Sequence, residues 1–167
     1  MIDSDKFSNF DVSIVVPALD MEGCMPTLLK SIESQTLLPR EIVIVDSSAI
    51  NKTAEIVAKW EGAVPISYHK VDLALPGYAR NIGVKESKGE WIAFLDCKTL
   101  PVPDWLNKCA IIAKENKVSV VSGLTFFEAD TSFKQILRAA SIGCRAHRTL
   151  VGSLVLKESF LETGGFV

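Results

Sequence analysis

Residues 89–96 read GEWIAFLD, and the run from Trp91 to Leu95 decides the fold. Five apolar residues in succession leave no polar face, as in a central parallel strand covered by helices on both sides. The run stops on Asp96, which puts a carboxylate at the strand's carboxyl end. Downstream, Pro101 and Pro103 punctuate a loop and Asp104 stands at the opening of a helix. There Trp105, Cys109, Ile112 and Ala113 fall at i, i+4, i+7 and i+8. Val118 to Thr125 reads as a further strand, Ser132 to Arg145 as a helix, Ser153 to Leu156 as a short strand and Gly164-Gly165 as a turn.

Upstream of Trp91, a helix through Ala79, Ile82 and Gly83 follows a Pro76-Gly77 turn, and Gly89 ends it. Ile66 to Lys70 is a weaker strand. Ile42 to Val45 is an apolar run ending at Asp46, followed by Ser47 and Ser48 as turn or cap residues and by Ile56, Val57 and Trp60 on one helical face. Val12 to Val16 is a β-branched run stopped by Pro17, after which Met25, Leu28, Leu29 and Ile32 recur at i, i+3, i+4 and i+7. Strand and helix alternate throughout. The expected fold is therefore α/β: a doubly wound, mostly parallel, Rossmann-like sheet with right-handed crossovers and helices on both faces. It is expected as one domain over residues 1–167, with 1–11 leading into the first strand. Such sheets bind ligands outside the carboxyl ends of their strands, where Pro17, Asp46 and Asp96 stand.

Composition narrows the function. The 167 residues are 48% apolar and carry a formal charge of −2, so one sizeable core is available and nothing attracts nucleic acid or anionic lipid globally. Cys24, Cys97, Cys109 and Cys144 lie far apart, without CxxC or zinc spacing, and read as reduced, mostly buried thiols. The amino terminus has no signal-peptide core, and no apolar run reaches the ~20 residues of a membrane span. A cytoplasmic protein is expected, free in solution or at the inner membrane surface. The sequon Asn51-Lys52-Thr53 reads as a helix start. After the first strand the loop is PALDMEGC, residues 17–24, with a single glycine. The dinucleotide fingerprint G-x-G-x-x-G is absent, as are the P-loop and the hydrolase elbow G-x-S-x-G.

Four segments in register are more informative: VSIVVPALD at 12–20, LLKSIESQTLLPREIVIVDSS at 28–48, GYARNIGVKESKGEWIAFLD at 77–96 and LPVPDWL at 100–106. Together they resemble the nucleotide-sugar-binding part of family-2 glycosyltransferases of the GT-A fold, over about Val12 to Val167. The resemblance implies transfer of a sugar from a nucleotide-diphosphate sugar to an acceptor hydroxyl, with inversion. It implies that Pro17, Ala18 and Asp20 belong to the loop that packs against the base. Asp46 matches the first acidic position of V-D-D-G-S, used around base and ribose, and Ser47 stands at the second. Arg80 matches a basic residue near the nucleotide, and Asp96 the first Asp of the D-x-D motif that holds Mn²⁺ or Mg²⁺ on the diphosphate. The general base of inverting members lies just past the Gly-Gly-Phe stretch, beyond Val167, and Asp104, Glu128 and Asp130 carry no such assignment.

One position departs from the pattern. Asp96-Cys97-Lys98 replaces the second carboxylate of D-x-D by an ammonium, which repels a dication and so weakens or removes metal binding. Lys98 then either supplies part of the positive charge the diphosphate needs or points into solvent. Capping by Asp46, a surface role for Arg80 and helix-end contacts for His147 stay open as structural alternatives. Trp60, Trp91 and Trp105 read as core or rim residues. The rival functions are a sugar-nucleotide-binding homologue without turnover and a nucleotidylyltransferase. The latter usually has a basic, glycine-rich loop after its first strand, which this chain lacks.

Overall fold

The β-branched runs become strands, and the structure, a computed structural model, describes residues 10–125 and 150–167. In chain order the elements are β1 (Val12–Ala18), α1 (Met25–Glu33), β2 (Glu41–Asp46), α2 (Lys52–Ala58), β3 (Ile66–Lys70), α3 (Pro76–Glu86), β4 (Trp91–Phe94), α4 (Trp105–Asn116), β5 (Val120–Val121), β6 (Leu154–Leu156) and α5 (Lys157–Glu162). The sheet runs β3-β2-β1-β4-β6-β5. β1 pairs in parallel with β2 and β4, and β2 with β3, whereas β6 runs antiparallel to both β4 and β5. The chain moves outward from β1 to β3 and then returns to β4 on the other side of β1. That reversal is a topological switch, where parallel α/β sheets open a crevice at their carboxyl ends.

Alternation along the strands sends side chains to two separate cores. On one face Val12, Ile14, Val16, Ile42 and Ile44 meet Met25, Leu28, Leu29 and Ile32 of α1 and Leu106 and Cys109 of α4. On the other, Val15, Val43, Val45, Ile92 and Phe94 meet Ala79 and Val84 of α3, with Phe160 and Phe166 against them. The four α1 residues named from periodicity are all 0% exposed, each worth roughly 1.5–3 kcal/mol of burial. Trp60, Trp91 and Trp105 pack at the rim, as expected. Cys24, Cys97 and Cys109 are free thiols. Among the described residues no helix is long and apolar enough to cross a membrane.

Several local readings are corrected. Pro17 does not stop β1: it pairs with Val45 of β2, and its other edge lies beyond the end of β4, so no ladder bond is lost by its missing N–H. Pro76 and Gly77 are not a turn before a helix but its first turn, Pro76 following an extended Leu75. On α4 the buried residues are Leu106, Cys109, Ala110 and Ala113, while Ile112 is exposed. The strand expected over 118–125 shrinks to Val120–Val121. β6 was anticipated, but α5 directly after it was not. The helix expected over 132–145, together with Glu128, Asp130, Cys144 and His147, lies outside the described residues.

Gly89 does not end a helix either. α3 stops at Glu86 with Ser87 as its cap, and Gly89 lies against β1, where a Cβ would stand 2.5 Å from the Ser13 backbone nitrogen. Its N–H donates to Ser13 Oγ at 2.8 Å, Ser13 Oγ donates to Glu41 Oε1 at 2.8 Å, and the Lys88 N–H donates to the same oxygen at 2.6 Å. This buried network ties the α3–β4 loop to the floor of the sheet. Gly89→Ala is expected to cost about 1–3 kcal/mol in urea denaturation, because the obstacle is backbone and cannot rotate away.

Candidate functional site

At the carboxyl ends of β1 and β4 the structure brings Pro17, Ala18, Ser47, Arg80, Asp96 and Lys98 around one cleft of about 350 Å³. These are six of the eight residues singled out from sequence. Leu19, Met21, Ala74 and Pro76 give it an apolar side. Asp20 is exposed on the loop after β1, at φ 51, with its N–H donating to Ser48 Oγ at 2.8 Å. Asp46 lies beneath the cleft, fully buried.

The surroundings of Asp46 explain how a buried carboxylate is tolerated. Its Oδ1 accepts the Ser48 N–H at 2.9 Å and the Ser48 hydroxyl. Its Oδ2 accepts the Tyr68 hydroxyl at 2.6 Å and faces Lys70 Nζ at 3.4 Å, and Lys70 also donates to the Ser48 carbonyl. Burial pushes this carboxyl up, but the bonds from Ser48 and Tyr68, with Lys70, outweigh it and hold the group below the usual carboxylate range. Tyr68 is pushed well above the ordinary phenol value, first by burial and then by Asp46. The sequence reading missed Tyr68 and Lys70. The signal was the parallel register, which sets Lys70 opposite Asp46 and Tyr68 two residues earlier on the same face.

Arg80 sits on the second turn of α3, with only 13% of its side chain exposed. Its Nη2 donates to Asp96 Oδ1 at 2.6 Å, and its buried Nε has no partner among the described residues. A guanidinium carries five N–H donors, so most of its capacity is unused among the described residues. Asp96 follows β4 and keeps 43% of its side chain exposed. Next to it, Cys97 is buried, its Sγ 3.5 Å from the Pro17 carbonyl oxygen, and burial together with Asp96 pushes the thiol up to about 12. Lys98 is exposed at the cleft and makes no ion pair or hydrogen bond among the described residues.

α3 also fastens the carboxyl-terminal turn. Asn81 Nδ2 donates to the Phe166 carbonyl at 2.8 Å, and the Phe166 N–H donates to Asn81 Oδ1 at 2.9 Å. Gly165, at φ 79, lets the backbone pass beside Asn81, and Phe166 packs on Phe94 and Phe160. The expected Gly164-Gly165 turn is present; its attachment to the helix that carries Arg80 was not foreseen.

The charges suit an anion better than a dication. Asp96 is the one carboxylate lining this cleft among the described residues; Arg80 occupies one of its oxygens and Lys98 adds a second cation. A larger hollow of about 460 Å³ beside Glu90, Lys157, Glu158 and Glu162 lies near the amino-terminal end of β4. Its three glutamates would repel a polyphosphate.

Comparisons with known proteins agree with this architecture. The family described as glycosyl transferase family 2 matches residues 13–155. An uncharacterized glycosyltransferase of Haemophilus influenzae is 26% identical over 92% of this chain and 55% of its own length. The mannosyltransferase PcManGT from Pyrobaculum calidifontis, solved with GDP-Man and Mn²⁺, superposes with a TM-score of 0.72 at 22% identity, over 96% of this chain and 49% of that one. Staphylococcus aureus TarS 1-349 in complex with UDP gives 0.69 at 20% identity, over 92% of this chain and 49% of that one. The chain thus spans about half the length of these relatives. With 13–155 matched and a cleft at the β1–β4 switch, this chain belongs to glycosyl transferase family 2.

Proposed function

We propose that the cleft binds the diphosphate of a nucleotide-diphosphate sugar and that the chain serves glycosyl transfer to an acceptor hydroxyl, with inversion. The observation that carries the reading is Arg80: a mostly buried guanidinium beside Lys98, both with donors unused among the described residues, at the strand ends where α/β sheets hold ligands. Membership of the family supplies the reaction class. UDP and GDP-Man in the solved relatives support a nucleoside diphosphate as the common element.

In the proposed reaction the acceptor oxygen forms a bond to the anomeric carbon as the bond from that carbon to the phosphate oxygen breaks. The hydroxyl proton passes to a general base, a carboxylate in the inverting members that the chain resembles. The nucleoside diphosphate leaves with the bonding electrons. Charge develops on the leaving oxygen, so fixed cations placed there stabilise the transition state more than the ground state. The nucleobase of the donor would rest against the Pro17–Asp20 loop and Ser47. Asp46 supports these roles from below by fixing Ser48, whose hydroxyl in turn holds the Asp20 N–H. Free thiols at Cys24, Cys97 and Cys109 suit a reducing, cytoplasmic setting.

Thermal melting with UDP, GDP, dTDP and CDP tests the donor reading. At 100 times its dissociation constant a specific nucleotide stabilises by ~2.7 kcal/mol, which raises the midpoint by roughly 5–11 °C. No shift with any of the four, with or without Mn²⁺, removes the donor site.

A further inference from the structure

We infer that the diphosphate in this cleft is neutralised by Arg80 and Lys98 in place of a divalent cation, with Asp96 acting as the positioning residue for Arg80 and not as a metal ligand. The inference rests on the donor reading above and goes beyond it to the chemistry of the site.

Three features of the cleft lead there. First, a dication held by Asp96 would have to displace or crowd the Arg80 guanidinium, whose Nη2 lies 2.6 Å from Asp96 Oδ1. Second, Lys98 opens on the same cleft without a partner among the described residues, and its ammonium would repel a dication while attracting phosphate. Third, a hard dication is best held by several carboxylate oxygens, and among the described residues the cleft lining supplies them from Asp96 alone. Two monocations bring the same formal charge as one dication. They differ in kind: Arg80 offers a planar fork that can bridge phosphate oxygens, and Lys98 a mobile point charge that can follow the leaving group.

The arrangement assigns Asp96 an unusual sign. Where a carboxylate holds a metal on the diphosphate, removing its charge abolishes nucleotide binding. Where it only steadies Arg80, the same change removes a like charge beside the phosphates and leaves the amide oxygen to accept from the guanidinium. Asp96→Asn is then expected to tighten binding roughly threefold to tenfold, as removing one like charge from a water-exposed site should.

Isothermal titration of this chain with UDP and GDP, in Mn²⁺ and again in EDTA, tests the inference on the wild type, Asp96→Asn and Lys98→Ala. Affinity that agrees between the two buffers within about twofold, weakens about tenfold in Lys98→Ala and tightens about threefold or more in Asp96→Asn is the expected result. Lys98 is exposed and Asp96 half-exposed, so both variants should fold, and circular dichroism checks this. Binding that needs Mn²⁺, or that Asp96→Asn abolishes, overturns the inference and leaves the donor reading standing. Absence of binding in both buffers overturns the donor reading, and the inference with it.

Discussion

Arg80→Ala is expected to weaken nucleoside diphosphate binding by roughly tenfold to a hundredfold, the value of one or two hydrogen bonds to a charged group. The same substitution should change folding stability by no more than about 1 kcal/mol. It leaves Asp96 half-exposed and solvated, and it removes a buried Nε that has no partner among the described residues. Affinity and stability should therefore separate. Arg80→Lys should recover part of the affinity, because it keeps the charge and loses the fork. Titration calorimetry beside urea denaturation measures both; unchanged affinity in Arg80→Ala would remove this residue from the site.

Asp46→Ala is expected to cost about 3–5 kcal/mol, a large share of the stability of a domain this size. The substitution strips the acceptor from the Ser48 N–H and hydroxyl, the Tyr68 hydroxyl and Lys70, all close under the sheet's edge. Its pH dependence follows from the depressed pKa. The stabilisation is complete above the unfolded value of 3.8 and is lost as pH falls through the lower folded value. Urea midpoints of the wild type and Asp46→Asn should therefore differ most near neutrality and converge in acid. A gap that stays constant with pH would mean that the Asp46 charge contributes no stability.

What could be read from the sequence was local. Met25, Leu28, Leu29 and Ile32 share one helical face whatever surrounds them, and the runs at Ile42–Val45 and Trp91–Leu95 are too apolar to lie anywhere but in a central sheet. The strand ends could be placed too, so six of eight candidate residues meet in one cleft. What escaped depended on partners distant in sequence. Pro17 continues β1 because β4 has already ended beside it. Gly89 is required by Ser13, 76 residues earlier. β6 runs antiparallel through pairing that no local pattern encodes. At the site, Asp46 was legible as a strand-end carboxylate, but its burial under Tyr68 and Lys70 follows from β2–β3 register. The Arg80–Asp96 pair likewise needs α3 laid across the end of β4.

In the proposed site a nucleoside diphosphate seats at the β1–β4 switch with its phosphates on Arg80 and Lys98. Amide chemical-shift mapping by NMR, with this chain titrated by UDP and by GDP, tests it most directly. The largest shifts are expected in Ala18 to Asp20, Ser47, Gly77 to Arg80 and Asp96 to Lys98, with the hollow at Glu90, Lys157 and Leu161 unmoved. Shifts centred on that hollow, or none at saturating nucleotide, would contradict it.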